Sequence, residues 1–218
     1  TGGGPVFPDL LGRLAAALPQ ARIVSLYGST EAEPIAHVTM EAIGPADWKA
    51  MAEGAGLLAG TPVPAVAILI EDDEILVAGP HVVPGYLDPA HDAASKVTIA
   101  GRRWHRTGDA GRIDAAGRLW LLGRHAARIG GIYPFCIEAV ARTWPGLRRA
   151  ALVPAQGRAV LLVEGDPAHL GEWRSRAGSL GPIEVVPLAR IPLDARHRSK
   201  VDYRALRQIF ARTPPRFH

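Results

Sequence analysis

Cysteine is nearly absent from this sequence, lysine is rare, and no apolar run is long. The single cysteine, Cys136, excludes an internal disulfide and fits a reducing compartment, here the cytoplasm. Set among the apolar residues of GIYPFCIEAV, it reads as a buried and inert thiol. A membrane helix needs about 18 consecutive apolar residues, and none is found, so no membrane span is expected. A basic head followed by an apolar stretch, the mark of a signal peptide, is also missing. The chain opens on TGGGPVFPDL, which reads like the interior of a longer protein. Eight histidines are scattered without an H-x-x-x-H pair beside an acid, which argues against a zinc site. Lysine occurs only at Lys49, Lys96 and Lys200, against twenty-two arginines. The net charge is +4, but the basic residues are spread thinly among nearly as many acids, and no basic run is interleaved with aromatics. That pattern is a solvated arginine-rich surface, with no nucleic-acid partner.

What is present is enough for a sizeable core. At 218 residues and 48% hydrophobic content, the chain fits one large domain or two smaller ones. Leu10, Leu11, Leu14 and Leu18 recur at helical spacing after Pro8-Asp9, predicting a helix over 7–18, with a strand over 23–26. Strand, helix and strand together predict a parallel α/β layer. From Thr61 the pattern turns to short β-rich runs. Val66–Ile70 and Ile75–Ala78 flank an acidic turn, and further strands are expected at 104–106 and 118–122. Residues 60–122 therefore read as a small antiparallel sheet or barrel. Beyond Gly123-Arg124 a separate α+β unit is expected, with helices at 135–144, 169–176 and 203–210 and strands at 150–153, 159–163 and 183–187. The fold class is α/β plus α+β: the end of a large α/β domain with its β subdomain over 1–123, a hinge, and a small α+β domain over 124–218.

One stretch poses the functional question. In IVSLYGSTEAEPIAH an apolar strand runs into an aromatic ring, a glycine, two hydroxyls and a carboxylate. Small polar residues at strand ends are where α/β sheets bind ligands, and hydroxyls followed by an acid suit a phosphate and its magnesium ion. The same residues also serve solubility, so the stretch alone leaves both readings open. Three further motifs follow in order: RTGD at 106–109, GRLWLLGR at 117–124 and RSKVDYRAL at 198–206. In this order and at these spacings, the four resemble the adenylate-forming enzymes, which include acyl-CoA synthetases, fatty acyl-AMP ligases and adenylation domains.

The resemblance implies roles residue by residue. Gly3, Gly4 and Pro5 match the glycine-rich turn that packs along the adenine and the acyl site. Tyr27 would lie against the adenine face, with Gly28 and Ser29 in the same nucleotide-binding turn. Thr30 would hydrogen-bond the α-phosphate, and Glu31 would hold magnesium. Asp109 would accept the ribose hydroxyls, and Arg124 would reach the same ribose. Lys200 would approach the reacting carboxylate and the α-phosphate, countering charge that develops as pyrophosphate leaves. By itself, Lys200 within RHRSK reads as part of a solvated face. Implied cofactors are ATP and Mg2+, and the implied partner is a small-molecule carboxylic acid.

Departures from the family pattern matter as much. The Ser/Thr/Gly-rich phosphate loop that carries a lysine should lie far upstream of YGSTE, yet only 26 residues precede Tyr27. The expectation is a C-terminal portion, inactive alone unless the N-terminal portion of the same enzyme is supplied. The usual hinge Asp or Lys is replaced by Ala126, and the stretch from Arg124 to Glu138 is a residue or two shorter than usual, which argues against a thioester-forming second step. The spellings TGGGPVFPDLL, YGSTEAEPIAH, RWHRTGDAG and LWLLGRHAA, with YPF before a helix, are most similar to the β-lactone synthetases of bacterial olefin biosynthesis. That branch implies adenylation of a 3-hydroxy fatty acid, closure by its own hydroxyl, and other olefin-pathway enzymes as partners. Rival readings are an acyl-CoA synthetase or fatty acyl-AMP ligase, and a non-catalytic remnant.

Overall fold

The structure, a computed structural model, describes residues 1–194 and 200–212. The chain divides into two compact units, residues 1–51 with 55–126, and residues 52–54 with 127–218.

In the first unit, α1 (Pro8–Ala17) starts on a proline, whose fixed φ suits a first turn that needs no donor. It is followed by β1 (Val24–Ser29), β2 (Ala32–Thr39), α2 (Pro45–Ala52), β3 (Leu57–Pro62), β4 (Ala67–Glu71) and β5 (Glu74–Ala78). The short α3 (Asp92–Ser95), β6 (Lys96–Ile99), β7 (Arg102–Ile113) and β8 (Leu119–Arg124) complete it. The strands form one eight-stranded sheet in the order β1-β2-β3-β8-β7-β5-β4, with β6 also on β7. Every described pairing in it is antiparallel.

The expected β4–β5 hairpin is present, closed by Asp72 and Asp73 at φ 47° and 64°. Such left-handed angles match the strand twist in two-residue turns. The predicted parallel layer is not what forms. Thr30 and Glu31 make so tight a turn that the chain returns as β2, paired antiparallel to β1 from Val24–Thr39 to Ser29–Ala32. Pro34 within that run hid the strand, because proline argues against a ladder position. Side chains alternate between two cores. Ile35, Ile75, Val77 and Leu119 pack on one side; Val38, Leu58 and Trp120 meet Leu11 and Met51 of the helices on the other.

The second unit contains α4 (Pro134–Ala141), β9 (Leu147–Ala155), β10 (Arg158–Gly165), α5 (Leu170–Leu180), β11 (Ile183–Pro187) and α6 (Tyr203–Arg212). Its sheet runs β11-β10-β9, with β9 antiparallel and β11 parallel to β10. Leu161 and Val163 face a core with Trp173 and Ile137, while Val160 and Leu162 face Ile191 and Leu206. A strand covered on both faces reads as a continuous apolar run, which is why AVLLV carries no alternation. Cys136, expected to be buried, is only half-buried on α4. No helix among the described residues is long and apolar enough to cross a membrane.

Candidate functional site

The first unit gathers most of the residues singled out in the sequence around the β1–β2 turn and the strand pair β7–β8. Tyr27 sits where the β1–β2 register shifts, between Tyr27 and Ser29. Its hydroxyl donates to Asp109 Oδ2 at 3.0 Å. Gly108 precedes that acid within β7 at φ +70°, a left-handed angle that glycine tolerates best. The Thr107 hydroxyl then donates to the Ile75 carbonyl at 2.9 Å and accepts from Asp109 N at 3.1 Å. Arg124 lies opposite Asp109 across the β7–β8 ladder, with Nη1 3.3 Å from Asp109 Oδ1. The guanidinium side is 67% exposed and the carboxylate side 18%, so this ion pair holds a geometry more than it stabilises the fold. Burial, and then the charge of Asp109, push the Tyr27 phenol well above its ordinary value, so it remains a donor. The ensemble is a carboxylate fixed from two sides at a partly open surface, suited to accepting hydroxyl hydrogens.

The adjoining turn is built differently. A Cβ on Gly28 would lie 3.0 Å from the Ala32 carbonyl oxygen and from Glu33 Cγ, so a larger residue would require those neighbours to give by a few tenths of an ångström. Ser29 Oγ is buried without a hydrogen-bond partner, and Thr30 is exposed. Glu31 is pinned. Its Oε1 accepts from the Tyr86 hydroxyl at 2.8 Å, its carbonyl accepts from Val83 N at 2.7 Å, and Oε2 lies 4.0 Å from His105 Nε2. Burial alone would raise the Glu31 pKa, but the hydrogen bonds from Tyr86 and the backbone outweigh it and hold the carboxyl below its ordinary value. His105 is buried, and that burial depresses its own pKa.

Beside β1, the carbonyl of Thr1 accepts from Leu26 N at 2.9 Å, which lays the opening glycine segment along that strand. Gly3 there takes a left-handed angle of +73°, while Gly4 and Pro5 are half-buried. Lys200 belongs to the second unit. It is half-buried, its carbonyl accepts from Asp194 N at 2.8 Å, and the next residue, Val201, bridges Leu193. Arg198 and Ser199 of the same motif lie outside the described residues.

Tyr86, His105 and Thr107 were not singled out from the sequence. Thr107 and His105 stand beside Asp109 in RWHRTGD, and their inward alternation on β7 was available as a signal; Tyr86 in PGYLDP carried none. Among the described residues no group of three or more His, Cys, Asp or Glu gathers as a metal cage. Glu31 still fits a magnesium ion, because that ion commonly takes one carboxylate and completes its shell with phosphate oxygens and water. The unpartnered Ser29 hydroxyl in the same turn is chemistry for a phosphate oxygen.

Comparison with known proteins gives this geometry its family. The family model described as AMP-binding enzyme matches residues 1–87. An olefin beta-lactone synthetase of Xanthomonas campestris pv. campestris is 31% identical over 91% of this chain and 44% of its own length. A 2-succinylbenzoate–CoA ligase of Arabidopsis thaliana is 31% identical over 70% of this chain and 31% of its own. The crystal structure of IdnL7 superposes with a TM-score of 0.81 at 25% identity, covering 98% of this chain and 44% of that one. The chain thus spans less than half the length of these proteins. With its four ordered motifs, the Tyr27–Asp109–Arg124 arrangement and these relatives, the chain belongs to the adenylate-forming, AMP-binding enzyme superfamily.

Proposed function

We propose that the protein activates a fatty 3-hydroxy acid as its acyl adenylate and then closes it to a β-lactone. Residues 1–123 would form part of the larger adenylation domain, and 124–218 the smaller mobile domain. In the first step a carboxylate oxygen of the acid attacks the α-phosphorus of ATP, and the bond to pyrophosphate breaks. Asp109, oriented by Tyr27 and Arg124, accepts from the ribose hydroxyls and fixes the nucleotide. The Tyr27 ring offers a stacking face. Thr30 and Ser29 donate to the phosphate, and Glu31 would hold the magnesium ion, which would neutralise phosphate charge when bound. Lys200 stabilises the charge that grows on the displaced oxygen.

In the second step the 3-hydroxyl oxygen of the same molecule attacks the acyl carbon. The hydroxyl proton passes to solvent, the bond to AMP breaks with its electron pair staying on the AMP phosphate, and a four-membered ring closes. Attack from within the bound molecule gains from proximity and needs no second substrate. The observation that carries this reading is the Asp109 carboxylate fixed by Tyr27 and Arg124, in a chain 31% identical to an olefin beta-lactone synthetase. Ala126 at the hinge position, and the short loop after it, favour closure over transfer to CoA.

A CoA ligase is the second reading, favoured by the match to the 2-succinylbenzoate–CoA ligase. One experiment separates the two. The full-length protein is incubated with ATP, magnesium, a long-chain 3-hydroxy acid and CoA, and the products are identified by mass spectrometry. A dehydrated acid without a CoA adduct is expected. A CoA thioester would instead establish the ligase.

A further inference from the structure

The segment between β5 and α3 is irregular apart from one 3₁₀ turn at Pro89–His91, yet it is tied to the β1–β2 turn at several points. Val83 N donates to the Glu31 carbonyl, and His81 Nε2 donates to the Pro34 carbonyl at 2.9 Å. The Lys96 ammonium donates to the Val83 carbonyl. Asp92 then braces the far end of the loop. Its Oδ1 accepts from Tyr86 N at 2.9 Å, and its Oδ2 accepts from Arg103 Nη2 at 2.6 Å. Gly85 makes room for this, because a Cβ there would meet Asp92 Oδ2 at 2.9 Å.

These contacts deliver Tyr86 to one place. Its ring is covered by the Lys96 ammonium, 5.6 Å from the centroid, and met edge-on by His91. Its hydroxyl donates to Glu31 Oε1 across 55 residues of sequence. We infer that Tyr86 is a positioning residue for the magnesium ligand Glu31: by occupying Oε1 it fixes the carboxylate plane and leaves Oε2 to the ion. This inference rests on the proposed role of Glu31. Without the hydroxyl, Oε1 loses its hydrogen-bond donor, the carboxylate plane is less firmly fixed, and the ion loses a pre-set oxygen. Groups that orient a metal's ligands commonly change metal affinity by about 10–100-fold when removed.

The test uses the full-length protein and its Tyr86→Phe variant, which keeps the ring and its contacts with Lys96 and His91. Binding of Mn2+, as a stand-in for magnesium, to the protein–ATP complex is followed by electron paramagnetic resonance. AMP affinity in EDTA and the melting temperature are measured alongside. About a tenfold weakening of Mn2+ binding is expected, with AMP affinity and melting temperature unmoved. Unchanged Mn2+ binding would overturn the inference, and so would an equal fall in AMP affinity and melting temperature, which would make Tyr86 a packing residue. Glu31→Gln separates the levels. If it weakens Mn2+ binding while Tyr86→Phe does not, only the role of Tyr86 falls. If Glu31→Gln also leaves Mn2+ binding unchanged, the reading of Glu31 falls and takes this inference with it.

Discussion

Asp109 in the first unit and Glu138 in the second each accept a hydrogen bond from a tyrosine hydroxyl, at 3.0 Å from Tyr27 and 2.7 Å from Tyr203. The surroundings make them opposites. Asp109 is partly open and faces the exposed Arg124 guanidinium, and the penalty of burial falls on its tyrosine, whose pKa rises. Glu138 is 2% exposed, takes a second hydrogen bond from Leu152 N at 2.9 Å, and is itself pushed up to about 7 by burial. The same pair of groups leaves a carboxylate partly open to the surface in one setting, and forms an internal clamp in the other. Glu138 joins α4, β9 and the start of α6, which begins three residues after Lys200. Glu164 sharpens the point. It is 1% exposed, yet its pKa is lowered, because the effect of burial is outweighed by Ile191 N and by Arg149 and Arg148.

If the first unit binds and Lys200 acts on developing charge, variants in the two places should fail differently. Lys200→Ala should lower the adenylation rate by about 10²–10³-fold while AMP affinity holds, as followed by pyrophosphate release and calorimetry. Equal loss of affinity would erase the contrast.

The next effect concerns stability. The pKa of Glu138 is raised on folding from 4.5 to about 7, so the folded state keeps a proton that the unfolded state releases. Stability is therefore highest below pH 4.5 as far as this group is concerned. It falls as pH rises through 7, by on the order of 3 kcal/mol. Glu138→Gln should flatten that window in urea titrations across pH; an unchanged slope would show that the clamp does not carry the proton. Glu164 acts in the opposite sense: its contribution is present above its unfolded value and is lost as the medium is acidified.

Smaller effects belong to the open site. Asp109→Ala removes an acceptor for charged hydrogen bonds worth about 1.5–3 kcal/mol, so AMP affinity measured by calorimetry should drop about tenfold or more. Tyr27→Phe leaves the ring and deletes one hydrogen bond, so a loss of about 1 kcal/mol is expected, less than for Asp109→Ala. If the two losses were equal, the tyrosine hydroxyl would itself be the ligand contact.

Much of this was legible in the sequence; α2, α3 and β6 were not read from it, and the missed sheet pairings share a cause. The β4–β5 hairpin, β7, β8 and every helix and strand of the second unit announced themselves through local pattern and turn residues. Tyr27, Asp109 and Arg124 were marked by their motifs, and the structure brings them together. What local pattern could not give was pairing. The antiparallel return of β2 depended on a two-residue turn and was masked by Pro34, and β3 was read only as the edge of the β-rich region. Tyr86 meets Glu31 only because a loop without periodicity is tied down by Asp92, Val83 and Lys96. Lys200 was marked by its motif, but two of its motif neighbours lie outside the described residues.

The most direct test is acid-dependent exchange of labelled pyrophosphate into ATP by the full-length protein, with and without Lys200→Ala. Exchange that requires a 3-hydroxy fatty acid and collapses in the variant is the predicted result. Exchange absent with every such acid, or undiminished by the substitution, would contradict the account.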